Sequence, residues 1–302
     1  MPFDTLSRWI DSRRASRAGG DCRRIIDIAN PERLFEAERK AILQQCERFN
    51  FALYRFSPQI GADRGAFDRF AHALGLVRRD FSLDADDRGI VSVRNAPAAD
   101  PAGEMIPFTD RALNWHSDGY YHPLERSIRS IAMHCVRPAA SGGENGFIDP
   151  DRLFIALHDR DPSLAEALSH PQAMTVPAVF DEKGRCLRPA RSGPVFSFAH
   201  DPSSSDLEGD SRPRLSMRYT SRTRSIRWLD EPSVAKARIA LQKTIEAFSD
   251  SDHALWIRLE TGEGIICNNI LHCRRAFTDD ADAPRTLLRI RSLDPVGCRS
   301  DI

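Results

Sequence analysis

What the chain lacks narrows its class before any motif is considered. No run of roughly 18 apolar residues occurs, the length a helix needs to cross a bilayer. The opening Met1-Pro2-Phe3-Asp4 has no charged stretch followed by an apolar core, so no secretory leader is expected. Net charge is missing too. Lys+Arg and Asp+Glu both number 43, so no global field draws the protein to nucleic acid or to a membrane surface. Lysine is scarce and arginine carries the positive charge. The clusters Arg13-Arg14, Arg23-Arg24 and Arg222-Thr223-Arg224 lack the interleaved aromatics of a nucleic-acid-binding stripe and read as solvated faces. Seven cysteines, an odd number without paired spacing, read as reduced thiols, not as a disulfide framework. These absences together predict a soluble, cytoplasmic protein whose partner is a small molecule, with a homo-oligomer left open.

The chain has 302 residues, enough to bury a substantial core. Residues 1–24, polar and arginine-rich with a break at Gly19-Gly20, are expected to form an N-terminal arm, either poorly ordered or a short helix. Residues 25–302 read as one domain. Helical character is expected from Pro31 (at N1 after Asn30) to Asn50, over Arg64–Leu74 with Gly75 closing it, in short pieces at Asp151–His158 and Ser163–Leu168, and over Pro232–Phe248. Strands are expected at Phe51–Phe56, Ile90–Arg94, Ile128–Val136, Phe147–Asp149, Leu215–Tyr219, Ala254–Leu259, Gly264–Cys267 and Thr286–Leu293. Residues 199–213, rich in Ser, Asp and Gly, read as a polar loop of the kind that forms active-site lids. Many short strands between Gly/Pro turns, without regular strand–helix alternation, predict a mainly β chain with flanking helices, a sandwich or jelly roll.

The stretch Asn114-Trp-His-Ser-Asp-Gly-Tyr-Tyr-His122 carries the chemistry. In extended chain, side chains at i and i+2 point the same way, so His116 and Asp118 can face one ion while Ser117 points away. Gly119 then lets the backbone turn. A neutral imidazole and a carboxylate suit Fe(II), Mn(II) or Zn(II), whereas a cysteine-rich set suits structural zinc. The triplet alone is also what an ordinary turn with a surface histidine looks like. A second histidine, His272, follows the apolar strand Gly264–Cys267. Two imidazoles and one carboxylate on one face of an octahedral ion leave the opposite face open, the arrangement of non-haem iron oxygenases. Beyond it, strand periodicity puts Arg285, Leu287, Arg289 and Arg291 on one face, opposite Thr286, Leu288 and Ile290. Buried, such arginines need anions, and a dicarboxylate held by a guanidinium fork supplies one; a solvent-facing strand would show the same alternation.

Taken together, His116-x-Asp118, Arg137-Pro-Ala-Ala-Ser-Gly-Gly-Glu-Asn145, Leu271-His272-Cys-Arg-Arg-Ala-Phe277 and Arg285-x3-Arg289 resemble the taurine-dioxygenase-like branch of the Fe(II)/2-oxoglutarate oxygenases, over roughly residues 50 to 293. The resemblance implies a double-stranded β-helix, the cupin-like jelly roll. It implies His116, Asp118 and His272 as catalytic iron ligands, with Fe(II), 2-oxoglutarate and O2 as cofactors. Arg285 would clamp the distal carboxylate of 2-oxoglutarate, with Arg289 nearby for cosubstrate or substrate. Asn145 stands where the family commonly has a threonine, and its amide can donate the same hydrogen bond.

Within that family, Trp-His-Ser-Asp-Gly-Tyr-Tyr, Ala-Ala-Ser-Gly-Gly-Glu-Asn and Met217-Arg-Tyr-Thr-Ser-Arg-Thr-Arg224 look most like enzymes acting on free amino acids. That group includes halogenases in which Gly or Ala replaces the carboxylate ligand; Asp118 is present, which implies hydroxylation. The expected activity is therefore hydroxylation of an unactivated C–H bond of a free L-amino acid, with a sulfonate or other small organic acid as the rival substrate. Tyr120, Tyr121, Glu104 and Arg94 are candidate substrate contacts, and Arg218, Arg222 and Arg224 are candidates for a substrate carboxylate. His122 and His134 read as supporting or structural. A zinc hydrolase using the same ligands, or a non-catalytic jelly-roll binding protein, are the other classes these residues allow.

Overall fold

Alternation along Thr286–Ser292 divides that strand between two interiors. Leu288 and Ile290 enter an apolar cluster with Tyr54, Phe56, Ala132 and Ile266, while Leu287 faces the other way with Val91, Val93 and Cys135. The computed structural model describes residues 3–57, 59–82, 84–95, 106–200, 213–280 and 282–298. Among them a six-stranded sheet runs Ile25–Ile28, Phe51–Phe56, Glu263–Cys267, Ser130–Arg137, Thr286–Ser292, Ile90–Arg94, and only its first pair is parallel. An antiparallel four-stranded sheet runs Ala254–Ile257, Asn145–Ile148, Leu271–Arg274, Leu113–His116. Leu53, Ile131, Met133 and Ile265 of the first sheet share a buried cluster with Phe147 and Leu255 of the second, so these two faces close on one another. The chain is mainly β with helices on the outside, as its sequence predicts.

Among the described residues six helices cover the sheets: α1 (Phe3–Arg17), α2 (Glu36–Phe49), α3 (Arg64–Ala73), α4 (Pro150–Arg160), α5 (Pro162–Leu168) and α6 (Pro232–Ser249). Helices α2 and α3 bury Ile42, Cys46, Phe67 and Phe70 against the outer face of the six-stranded sheet, with the Phe70 ring 4.5 Å from that of Tyr54. Gly75 closes α3 at φ +88, where a Cβ would lie 2.5 Å from the Cys298 carbonyl oxygen. Helix α2 begins five residues later than Pro31 would start it. Asn30 Oδ1 accepts from the Glu32 and Arg33 amides at 3.0 and 3.2 Å, and the Glu38 carboxylate accepts from Phe35 N at 3.0 Å. Asn30-Pro31 is thus an Asx turn leading to the helix, not its cap. Helices α4–α6 pack Leu153, Leu157, Leu164, Leu241 and Ile245 over Ile148, Ala254 and Leu271 of the four-stranded sheet.

The expected N-terminal arm contains the 15-residue helix α1, whose Trp9 and Ile10 are buried in that same cluster. Arg13 pairs with Asp151 at 2.6 Å and Arg17 pairs with Asp149, the N-cap of α4. Among the described residues no helix is long and apolar enough to cross a membrane.

His134, one of two histidines read from the sequence as supporting or structural, lies in the core. Its ring stacks near Tyr54, Phe56 and Phe67, and its Nε2 donates to Gly61 O at 2.8 Å. Burial lowers its pKa from 6.5 to about 4. The unfolded chain therefore binds more protons between those values, and stability falls as pH drops through that window, by about 3 kcal/mol for this group. We expect His134→Gln to flatten the dependence of Tm on pH between 4 and 6.5; a slope matching wild type in thermal melts would show that His134 contributes none of it.

Candidate active site

The strand pairing places His272 directly across from His116, so both imidazoles share one face, with ring centroids 4.3 Å apart. Two residues on, Asp118 completes the group, and one possible ligand atom from each of the three lies within 4.8 Å of the others. Asp118 Oδ1 is 3.5 Å from His116 Nε2 and 3.9 Å from His272 Nε2. All three side chains are buried. Gly119 turns the chain away at φ +67, and a Cβ there would meet Ile128 at 2.5 Å, so only glycine fits behind the carboxylate.

The electronic state of the group follows from its partners. His116 Nδ1 donates to Asn114 O at 2.8 Å and His272 Nδ1 to Ile270 O at 2.9 Å, which leaves each Nε2 lone pair aimed at the shared centre. Burial would raise the Asp118 pKa, but Arg289, with His116, His272 and Arg291 beside it, holds it well below the ordinary carboxylate value. Burial, then the neighbouring His116, pushes His272 down to about 4. A carboxylate beside imidazoles turned this way is the form that binds a metal. Asp118 Oδ2 is buried without a hydrogen-bond partner, with Arg289 Nη1 3.4 Å away. An acceptor left empty in that position fits a cation, and the donor set suits Fe(II).

The arginine face of Thr286–Ser292 points between the sheets, with Leu287, and not to solvent. A register shift between Thr286 and Leu287 turns Arg285 into the interior, where it is 3% exposed. Among the described residues no acidic side chain forms an ion pair with its guanidinium, which packs on the Phe277 ring at 5.1 Å. It shares a small cleft with Gly143 and Asn145. Asn145 pairs with Arg274 in register, two positions from His272, so its amide lies on the sheet face that carries the imidazoles. Arg291 pairs with Asp80 at 2.6 Å and donates to Tyr121 Oη at 3.1 Å. Tyr120 meets Tyr121 edge-on, and both pack against the cluster formed by α4–α6.

Two candidate substrate contacts fare differently. Arg94 is exposed at the end of an edge strand, on the face of Ile90 and opposite Val91 and Val93, so the structure does not bring it to the site. Glu104 lies outside the described residues, as do residues 201–212 of the expected lid.

One functional residue was not singled out from the sequence. Asn269, at φ +47, accepts from Asp118 N at 2.8 Å through Oδ1 and donates from Nδ2 to Asp118 O at 2.9 Å and Ile128 O at 2.8 Å. A single amide thus clamps the Asp118 peptide units to the turn that carries His272 three residues later. Asparagine tolerates the left-handed backbone better than most residues, and the Asn268-Asn269 pair after a strand is the only sequence signal of it.

With this geometry in place, the comparisons with known proteins converge. The family model described as "Taurine catabolism dioxygenase TauD, TfdA family" matches residues 14–291. A Streptomyces uridine-5'-phosphate dioxygenase is 26% identical over 267 residues, covering 82% of this chain and 86% of that protein. An Amycolatopsis protein of the same name is 29% identical over 181 residues, 58% of each. Among solved structures, asparagine oxygenase with Fe(II), hydroxyasparagine and succinate superposes with TM-score 0.59 at 15% identity, covering 98% of this chain and 92% of that one. A taurine dioxygenase from Burkholderia xenovorans gives TM-score 0.52 at 15% identity, covering 91% and 83%. The family match and the fold are those of an iron-dependent oxygenase. The chain belongs to the TauD/TfdA dioxygenase family, whose members use Fe(II), 2-oxoglutarate and O2.

Groups that orient metal ligands typically carry about 10–100-fold in metal affinity. We expect Asn269→Ala to weaken Mn(II) binding, followed by electron paramagnetic resonance, by about tenfold or more, with partial recovery in Asn269→Asp. Unchanged affinity in the alanine variant would remove the clamp from the account.

Proposed function

We propose that the protein is a hydroxylase of a small, polar, anionic substrate, and that its two closed sheets are the halves of a double-stranded β-helix. The observation carrying this reading is the pairing of two features: the His116–Asp118–His272 face with its unpartnered Asp118 Oδ2, and the buried Arg285, which forms no ion pair among the described residues. Iron held by those three side chains, with 2-oxoglutarate and O2, would supply oxidative decarboxylation to succinate and CO2 coupled to oxygen insertion into a C–H bond. The chain's own groups do the rest. Arg285 would grip the distal carboxylate of the cosubstrate, with the Asn145 amide donating beside it. Arg289 would balance Asp118 and meet anionic groups brought near it. Tyr121, fixed by Arg291, would wall the substrate space and keep water out.

The sequence favours a free L-amino acid, with a sulfonate or other small organic acid as rival. The relatives named for uridine 5'-phosphate add a phosphorylated nucleoside to the same anionic class. Seven free cysteines support a reducing, cytoplasmic setting.

Succinate release screened across amino acids, sulfonates and nucleoside monophosphates tests this reading. Turnover should require Fe(II), 2-oxoglutarate and substrate, and should be lost in His116→Ala, Asp118→Ala and His272→Ala. Arg285→Ala should raise the KM for 2-oxoglutarate about tenfold or more, the loss expected for a charge-assisted pair. Zinc-dependent hydrolysis without oxygen uptake would contradict it, as would a full-rate alanine variant of any ligand.

A further inference from the structure

Three guanidinium groups outside the histidine–carboxylate cluster meet no carboxylate among the described residues. Arg188, Arg191 and Arg218 gather at the small sheet formed by Met174–Val176, Arg191–Gly193 and Arg227–Trp228. Arg218 donates to Met174 O at 3.0 Å and to Arg191 O at 2.8 Å, and Arg188 donates to Pro177 O at 3.1 Å. The Nε of each of the three is buried with no hydrogen-bond partner. None forms an ion pair with an acidic side chain among the described residues, and burial alone lowers the Arg218 pKa to about 10.

The other buried arginines divide between those paired with acids and Arg274, which like Arg188 and Arg218 is held by carbonyls. Arg13 and Arg17 meet Asp151 and Asp149, Arg291 meets Asp80, and Arg274 donates to the carbonyls of Pro107, Thr109 and Arg111. Carbonyl ties fix the position of Arg188 and Arg218 but neutralise nothing, and a desolvated cation such as Arg218 is costly until an anion arrives.

The cluster is joined to the metal-binding segment from two directions. The Arg188 guanidinium carbon lies 5.6 Å from the centre of the Tyr121 ring, three residues beyond Asp118. Arg218 immediately precedes Tyr219, whose carbonyl accepts from Ser117 N at 3.0 Å and whose N–H donates to Ser117 Oγ at 3.0 Å. Ser117 sits between the two ligands His116 and Asp118.

We propose that Arg188, Arg191 and Arg218 form a second anion site that seats a phosphoryl group of the substrate, separate from the cosubstrate clamp at Arg285. A monocarboxylate would leave most of this positive charge unpaired. A phosphomonoester brings a charge of about −1.5 to −2 and three acceptor oxygens, a closer match to three guanidinium groups with unpartnered Nε atoms. The proposal rests on the functional reading above for where the cosubstrate binds.

Anaerobic protein loaded with Fe(II) and 2-oxoglutarate is titrated calorimetrically with uridine 5'-monophosphate, inorganic phosphate, uridine and L-asparagine. At least one of the two phosphate probes should bind more tightly than uridine and L-asparagine. Arg218→Gln and Arg188→Gln should each weaken that binding about tenfold while leaving 2-oxoglutarate affinity, the control for folding, unchanged. Binding of neither phosphate probe, or binding indifferent to both substitutions, would overturn the phosphoryl site and leave the oxygenase reading intact. Failure of wild-type protein to bind 2-oxoglutarate would overturn that reading and this proposal with it.

Discussion

Everything at the centre of this molecule depends on the pairing of Leu271–Arg274 with Leu113–His116. That register sets His272 against His116 and so decides that residues far apart in the chain present their Nε2 atoms to one point. Asn269 adds the third coordinate, because its amide ties the Asp118 peptide groups to the same turn. Sheet hydrogen bonds are individually modest, but a one-residue slip would send either imidazole to the opposite face. The hydrophobic pattern forbids that slip: Leu271 and Ile148 are buried against α4–α6 on the outer side, while Phe147 is buried on the inner side.

The same division explains the charges. The six-stranded sheet turns Leu288 and Ile290 to its helices and sends Arg289 and Arg291 between the sheets, where water is scarce. Each buried cation then needs an answer. Asp80 answers Arg291 and Asp118 lies close to Arg289, whereas Arg285 packs on the Phe277 ring and, though it feels the charge of Asp279, forms no ion pair among the described residues. A buried carboxylate oxygen without a hydrogen bond and an enclosed guanidinium without an ion pair, among the described residues, suit a metal ion and a dicarboxylate respectively.

Much of this was legible in the residues. Phe51–Phe56 and Ile90–Arg94 form at the bounds expected of them, because aromatic and β-branched runs stop at clear turn residues. Pro31 misled, since Asn-Pro suits both a helix start and an Asx turn, and only the position of Glu38 decides between them. Alternation showed that the arginines share a face but not which way it points, because period two is silent about what lies above the strand. Arg94 fails on the same rule once Ile90 is seen to face the helices. Asn269 was out of reach: its partner Asp118 is 151 positions away, and no local pattern announces a contact that only the folded turn creates.

The account stands or falls on whether those side chains hold ferrous iron next to a keto-diacid. Anaerobic titration with Fe(II) and then 2-oxoglutarate, followed by visible absorption, tests it most directly. One iron per chain and a new metal-to-ligand charge-transfer band on adding 2-oxoglutarate are predicted for wild type, with the band lost in His272→Ala. Protein that takes up no iron, or that binds it without any spectral response to 2-oxoglutarate, would contradict the account.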